Sequence, residues 1–291
     1  MIQAFISRES SNYSINSLCD ALDVNRSSYY SFNDSLNNKK ERLAYNALVS
    51  ERILSIFEDS NHIYGSPKIT QILRKEGFKI SQKTVLKHMQ VLGIKSCVYT
   101  SFVKRNSYLT EQEKSLIENL IKDFPITSIN QIWVCDITYI KTVRDGTVYL
   151  ASIMDLYSRK IIAWEVCHNM KQELVMHVFQ KAYSNRKPKN IVIVHSDKGS
   201  QYRSRLYRQL LVKNHCVFSY TSLHHSCDEN ANQESFHSLI KKEHLYQKVL
   251  FTIDDVRREC FIYIEGFYNS KRIHGALNYI SPIEFENLLF S

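Results

Sequence analysis

The 291-residue chain has no run of about 18 apolar residues, so no membrane-spanning helix is expected from it. Its first residues lack the charged-then-apolar pattern of a secretory signal, which points to a soluble, cytoplasmic protein. The seven cysteines, at positions 19, 97, 135, 167, 216, 227 and 260, are odd in number and never spaced Cys-x-x-Cys. That pattern argues against a disulfide framework or a structural zinc site and for a reducing compartment. Acidic residues are scarce in one stretch above all: residues 60–105 hold nine Lys or Arg and a single acid, Glu76. This local excess nearly equals the formal charge of the whole chain, +9, and favours a polyanionic partner over a neutral or acidic one.

What the chain does have is a set of strand-like runs that carry acids. Ile191-Val192-Ile193-Val194 leads to His195-Ser196-Asp197-Lys198-Gly199, which reads as a buried strand with Asp197 at its carboxyl end. In open α/β sheets that end collects ligands, although a lone aspartate there also serves as a turn former. Gln131 to Ile140 is rich in β-branched and aromatic residues and carries one charge, Asp136, which needs a cation or a place at a cleft. Asn230 to Lys242 has helical composition. Phe236, Leu239 and Ile240 mark its apolar stripe, and Asn230, Glu234, Ser238 and Lys241 share another. Read alone, Glu234 is a solvated helix residue.

The three acids, in this order, stand in the segments "IWVCDITYI", "YLASIMDLYSRKIIAW", "HSDKGSQY", "CDENANQESFHSLIKKE" and "YNSKRIHGALNYISPIEFE", preceded by "YGSPKITQILRKEGFKISQKTV". Together these segments resemble the Asp-Asp-Glu transposases and retroviral integrases, most closely the integrase-like protein of the insertion-sequence-three transposons. The resemblance implies an α/β ribonuclease H-like fold, a mixed five-stranded sheet with flanking helices, preceded by all-α helix-turn-helix modules. It implies Asp136, Asp197 and Glu234 as catalytic residues holding two Mg²⁺ ions, with Mn²⁺ able to substitute, Asp136 bridging both ions and the other two acids completing one site each. The implied reaction is cleavage at the ends of a mobile element followed by strand transfer, in which a freed 3′-hydroxyl attacks a second phosphodiester. Lys241 is set to hold a phosphate. The implied partners are double-stranded DNA at the element ends and the target, further copies of the chain on DNA, and a DNA-binding protein from an upstream frame, joined to this one by frameshifting. The spacing from Asp197 to Glu234 is one residue longer than usual, and the loop around Ser222 to Ser226 is expected to absorb the difference so that all three acids face one cleft. A catalytically silent DNA-binding protein and a structure-specific nuclease of the same fold are the alternatives.

The order of elements divides the chain at 1–40, 41–99, 100–128 and 129–291. Ser14 to Phe32 reads as two short helices around the turn Asp23-Val24-Asn25, with apolar Leu18, Ala21 and Leu22 and with Arg26 opening the second as a candidate DNA contact. Residues 31–40, rich in Asn and Ser, read as a linker. A helix over 41–58 with Leu43, Leu48, Ile53, Leu54 and Phe57 inward is followed by a helix-turn-helix pattern. Its second helix is capped by Ser81, offers Lys83 and Lys87 to DNA phosphates, and turns Val85, Met89 and Leu92 inward. A basic linker over 100–112 and a helix over 113–122 lead into strands at 131–140, 148–154, 160–166, 190–195 and 215–220. Helices at 171–184 and 201–213 alternate with the last of these strands. In the final motif Tyr268, Asn269, Arg272 and His274 either contact DNA or brace the Glu234 helix, and Asp155 reads as a turn residue.

Overall fold

The computed structural model describes residues 2–97, 119–121, 124–221 and 230–290, which fall into two compact units, residues 1–96 and 97–291. The first unit is helical: α1 (Ile2–Glu9), α2 (Ile15–Ala21), α3 (Arg26–Asp59), α4 (Ser66–Lys75) and α5 (Gln82–Val91). Asn25 caps α3, its side chain accepting the Ser27 N–H, and the helix then runs unbroken for 34 residues. The linker expected at 31–40 is therefore helical. Asn and Ser are only mildly poor helix formers, and no glycine or proline lies between Arg26 and Asp59 to stop the chain. The buried stripe of α3 is Val49, Ile53, Ile56 and Phe57, while Leu43 and Leu48 lie on the exposed side with Leu54 at its margin. In the first hairpin Cys19 is buried with Ile6 and Tyr29, Leu18 and Leu22 pack around them, and Ala21 is exposed. The second helix pair forms as expected: Gly77 turns with φ +92°, Ser81 caps α5 by accepting the Thr84 N–H, and Val85 and Met89 are buried.

The second unit is built on a five-stranded sheet in the order β3-β2-β1-β4-β5, comprising β1 (Ile132–Lys141), β2 (Thr147–Asp155), β3 (Ile161–Cys167), β4 (Val192–Ser196) and β5 (Cys216–Tyr220). The first three strands are antiparallel neighbours, and β4 and β5 join parallel to β1. This is the mixed, ribonuclease H-like order expected from the sequence. The helices are α6 (Gln172–Arg186), α7 (Ser200–Arg203), α8 (Arg205–Lys213), α9 (Ala231–Glu243), α10 (Ile253–Tyr263) and α11 (Pro282–Phe290). The single helix expected over 201–213 is two, because Ser204 breaks it and caps the second by accepting the Tyr207 N–H. The helix expected over 113–122 lies outside the described residues except for 119–121, which form a turn.

Strand alternation sorts the side chains onto two faces. Trp133, Cys135, Ala151 and Ile153 pack with Leu174, Val178 and Phe179 of α6 and Tyr207 and Leu211 of α8. Ile132, Val134, Leu150 and Met154 pack on the other face with Phe236 and Ile240 of α9 and Val256, Cys260 and Tyr263 of α10. Among the described residues no helix is long and apolar enough to cross a membrane.

Candidate active site

Asp136 shares the parity of Ile132 and Val134, so β1 delivers it to the face covered by α9. Strand β4 runs parallel beside β1 with Val134 opposite His195. Asp136 lies two residues beyond that pair within β1, and Asp197 two residues beyond it, just past the end of β4. Over them α9 is fixed by Phe236 and Ile240, both fully buried, and by the side chain of Asn230 at its start, whose Nδ2 donates to the Cys135 carbonyl at 3.2 Å. With those anchors inward, Glu234, Ser238 and Lys241 at i, i+4 and i+7 line a cleft of about 320 Å³ together with Asp136, Thr138 and His237. The structure thus brings Asp136, Glu234 and Lys241 together; Asp197 stands at the end of the adjoining strand and does not line the cleft itself.

The electrostatics link the acids. The Asp197 carboxyl is raised from its ordinary value, first by the desolvation of its crowded surroundings and further by the charge of Asp136, while the Gly199 N–H, donating to Oδ1 at 3.0 Å, works in the opposite direction. Lys241 is lowered by burial, against which Asp136 pulls it upward, and its Nζ sits 4.5 Å from the centre of the Tyr139 ring. Carboxylates that disfavour one another's charge, beside an open cleft, form an oxygen donor set suited to a hard divalent cation, which completes its shell with water and substrate oxygens. Among the described residues no three His, Cys, Asp or Glu side chains close tightly enough to enclose an ion by themselves. The loop expected to absorb the longer Asp197 to Glu234 spacing, Ser222 to Ser226, lies outside the described residues.

One residue of this site escaped the sequence reading. His237 is buried, with Nδ1 3.1 Å from Asp136 Oδ2 and Nε2 2.8 Å from Ser152 Oγ. A carboxylate oxygen only accepts, so Nδ1 donates to Asp136; in the neutral ring Nε2 then accepts from the serine hydroxyl. Gln233 Nε2 donates to the Ser152 carbonyl at 3.0 Å and to its hydroxyl, which completes the chain Gln233, Ser152, His237, Asp136. The only hint in the sequence was position: His237 lies three residues after Glu234 on a helix.

The other candidates divide. Lys83 and Lys87 are exposed on α5, and exposed Arg26 opens α3, 3.4 Å from Asp20. Arg272 does not belong among DNA contacts. It is 7% exposed and pairs with Glu243, itself 3% exposed, in the last turn of α9 through Nη2 at 2.6 Å and Nε at 2.9 Å. Burial by itself would lower the guanidinium pKa, but the hydrogen bonds and charge of Glu243 outweigh it and raise the value. Tyr268 packs edge-on against Phe236, and Asn269 clamps Ile161 by accepting its N–H and donating to its carbonyl, each at 3.0 Å. These three residues brace the fold. Asp155 is buried and accepts the backbone N–H groups of Asn130, Tyr157 and Ser158, as its turn position suggested.

Comparison with known proteins agrees with this layout. Residues 127–226 match the family described as integrase core domain, residues 217–282 match a second family of that description, and residues 44–100 match the HTH-like domain family. The transposase for insertion sequence element IS904 of Lactococcus lactis is 35% identical over 240 residues, 82% of this chain and 93% of its own. Among solved structures, the catalytic core domain of HTLV-2 integrase in complex with magnesium superposes with a TM-score of 0.42 at 14% identity, covering 54% of this chain and 95% of that one. Transposase InsF for insertion sequence IS3A of Escherichia coli K12 is 32% identical over 289 residues, 99% of each chain, and this chain accordingly belongs to the IS3 family of transposases.

Proposed function

We propose that the protein cleaves DNA at the ends of its insertion sequence and joins the freed 3′-hydroxyl to a second site, in a reaction that depends on divalent metal. What supports this reading is a single cleft holding Asp136, Glu234 and Lys241, with Asp197 ending the neighbouring strand, in a chain of the transposase family. Asp136, Asp197 and Glu234 are the residues that would hold Mg²⁺ or Mn²⁺. Bound there, a metal pair would activate the attacking hydroxyl and stabilise the leaving oxygen of an in-line displacement. His237 keeps one oxygen of Asp136 in a fixed direction. Lys241, partly desolvated on the same helix, supplies a positive charge for a phosphate of the DNA strand. Lys83 and Lys87 on α5 contact the backbone of the element end through counterion release, and Arg26 adds a further contact. Multiple copies acting together on DNA, and a companion protein from an upstream frame, belong to the same reading.

The test is a joining assay with a labelled duplex bearing the element's own ends, with Mg²⁺ and with EDTA. The wild-type protein is expected to cut and join only with metal. Asp136→Asn, Asp197→Asn and Glu234→Gln are each expected to bind the duplex and do neither. Joining that persists in one of them removes that residue from the site. Metal-dependent cutting without joining in the wild type identifies a nuclease, and binding alone identifies a silent DNA-binding protein.

A further inference from the structure

The segment "DLYSRK" and the segment "RIHGAL" take no part in the chemistry above, yet they meet at one spot. Arg159 lies in the turn between β2 and β3, with φ +60°, a backbone conformation that L side chains other than asparagine and aspartate rarely adopt. Its guanidinium is half-buried and has no carboxylate partner among the described residues, and burial lowers its pKa with only the Tyr268 hydroxyl opposing. It faces a small pocket of about 150 Å³, lined also by Asn232 and Ser235 from the first turns of α9 and by His274 and Gly275. A half-buried guanidinium with no carboxylate beside it among the described residues, next to an amide and a hydroxyl that can each donate, offers an anion charge and hydrogen bonds.

We propose that this pocket is a second phosphate-binding site, which takes a backbone phosphate of duplex DNA. Ser235 and Glu234 are consecutive residues of α9, about 100° apart around the helix. A strand crossing the start of α9 therefore presents one phosphate to the catalytic cleft and another to Arg159. The guanidinium supplies a planar pair of donors, the arrangement that matches a phosphate most closely, and Asn232 and Ser235 complete the grip. The role of the strand rests on the transposase reading, but binding at this pocket requires no metal and no catalysis.

The experiment uses the full chain in EDTA with a fluorescent duplex of arbitrary sequence, and measures affinity across a salt series alongside thermal melting. Arg159→Asn keeps a side chain that tolerates the left-handed backbone and removes the charge. It is expected to lower the slope of log affinity against log salt by about 0.9, which is roughly eightfold weaker binding at 0.1 M salt, with melting unchanged. Arg159→Lys should restore most of that slope. Asn232→Asp, which adds a carboxylate beside Arg159 in a helical first turn, should reproduce the loss. An unchanged slope overturns the proposal, as does a wild-type protein that binds no duplex. A lower melting temperature with the slope intact makes Arg159 a structural residue and also overturns it. If joining fails in the wild type while the slope falls as stated, the pocket stands and the strand-transfer reading does not.

Discussion

Replacing Arg272 with methionine removes a guanidinium from a carboxylate that has almost no access to water. Glu243 would keep the Tyr263 hydroxyl, which donates to Oε2 at 2.5 Å, but lose both guanidinium bonds and the opposing charge. Breaking one side of a buried ion pair costs about 3–5 kcal/mol, because the remaining charge is stranded. In a domain of about 200 residues each kcal/mol shifts the midpoint by roughly 2–4 °C, so the second unit should melt roughly 6–20 °C lower. Circular dichroism melting at pH 7 without DNA reads this directly, and DNA affinity measured well below the transition should not change. The double variant Arg272→Met with Glu243→Gln removes both charges, keeps an acceptor for Tyr263, and should recover at least half of the loss. A single variant that melts like the wild type but binds DNA more weakly would refute the reasoning and return Arg272 to the DNA-contacting set.

The remaining predictions concern the cleft and the basic helix. Because the folded-state pKa of Asp197 is raised, its stabilising contribution is complete below the unfolded carboxyl value and is lost as pH rises through the folded one. Metal-free Asp197→Asn should therefore melt higher than wild type at pH 7, with the gap closing in acid; a wild type that is the more stable of the two at pH 7 in EDTA would contradict this. His237→Asn retains a donor near the Nδ1 position and should keep joining within about tenfold of wild type. His237→Gln does not, and should lose roughly 10–100-fold in Mn²⁺ affinity and in rate; equal impairment of the two would dismiss the orienting role. Lys83→Glu combined with Lys87→Glu should flatten the salt dependence of DNA binding by about 0.9 for each lost contact, and an unchanged slope would mark α5 as merely solvated.

Much of the second unit was legible because its signals are local. The strand period of two decides which side chains share a face, and an acid within β1 at the parity of Ile132 and Val134 points at whatever helix covers that face. A period of 3.6 in α9 does the same for Glu234, Ser238 and Lys241 once Phe236 and Ile240 are assigned inward. The first unit was read less well where composition stood in for a terminator. Asn and Ser between residues 31 and 40 suggested a linker, but without glycine or proline the propagation of α3 continues through them. Ile53 and Phe57 of its expected inward stripe are buried, but Leu43, Leu48 and Leu54 were misjudged because they are no more apolar than Val49 and Ile56, and only the positions of α4 and α5 choose among them.

The sequence by itself determined the strands and most helices of the core and the helical stripe that carries Glu234. It determined these through patterns that repeat within a few residues and need no knowledge of distant chain. Only the tertiary structure decided that His237 holds Asp136, that Arg272 answers Glu243 and not DNA, and that Arg159 meets Asn232 and His274 in one pocket. Those pairs are separated by 29 to 115 residues, and nothing in the local pattern of either partner encodes the other. Charge and polarity say only that such a side chain must find a partner or water. Which one it finds is set by how α9 and the carboxyl-terminal segment pack across the sheet.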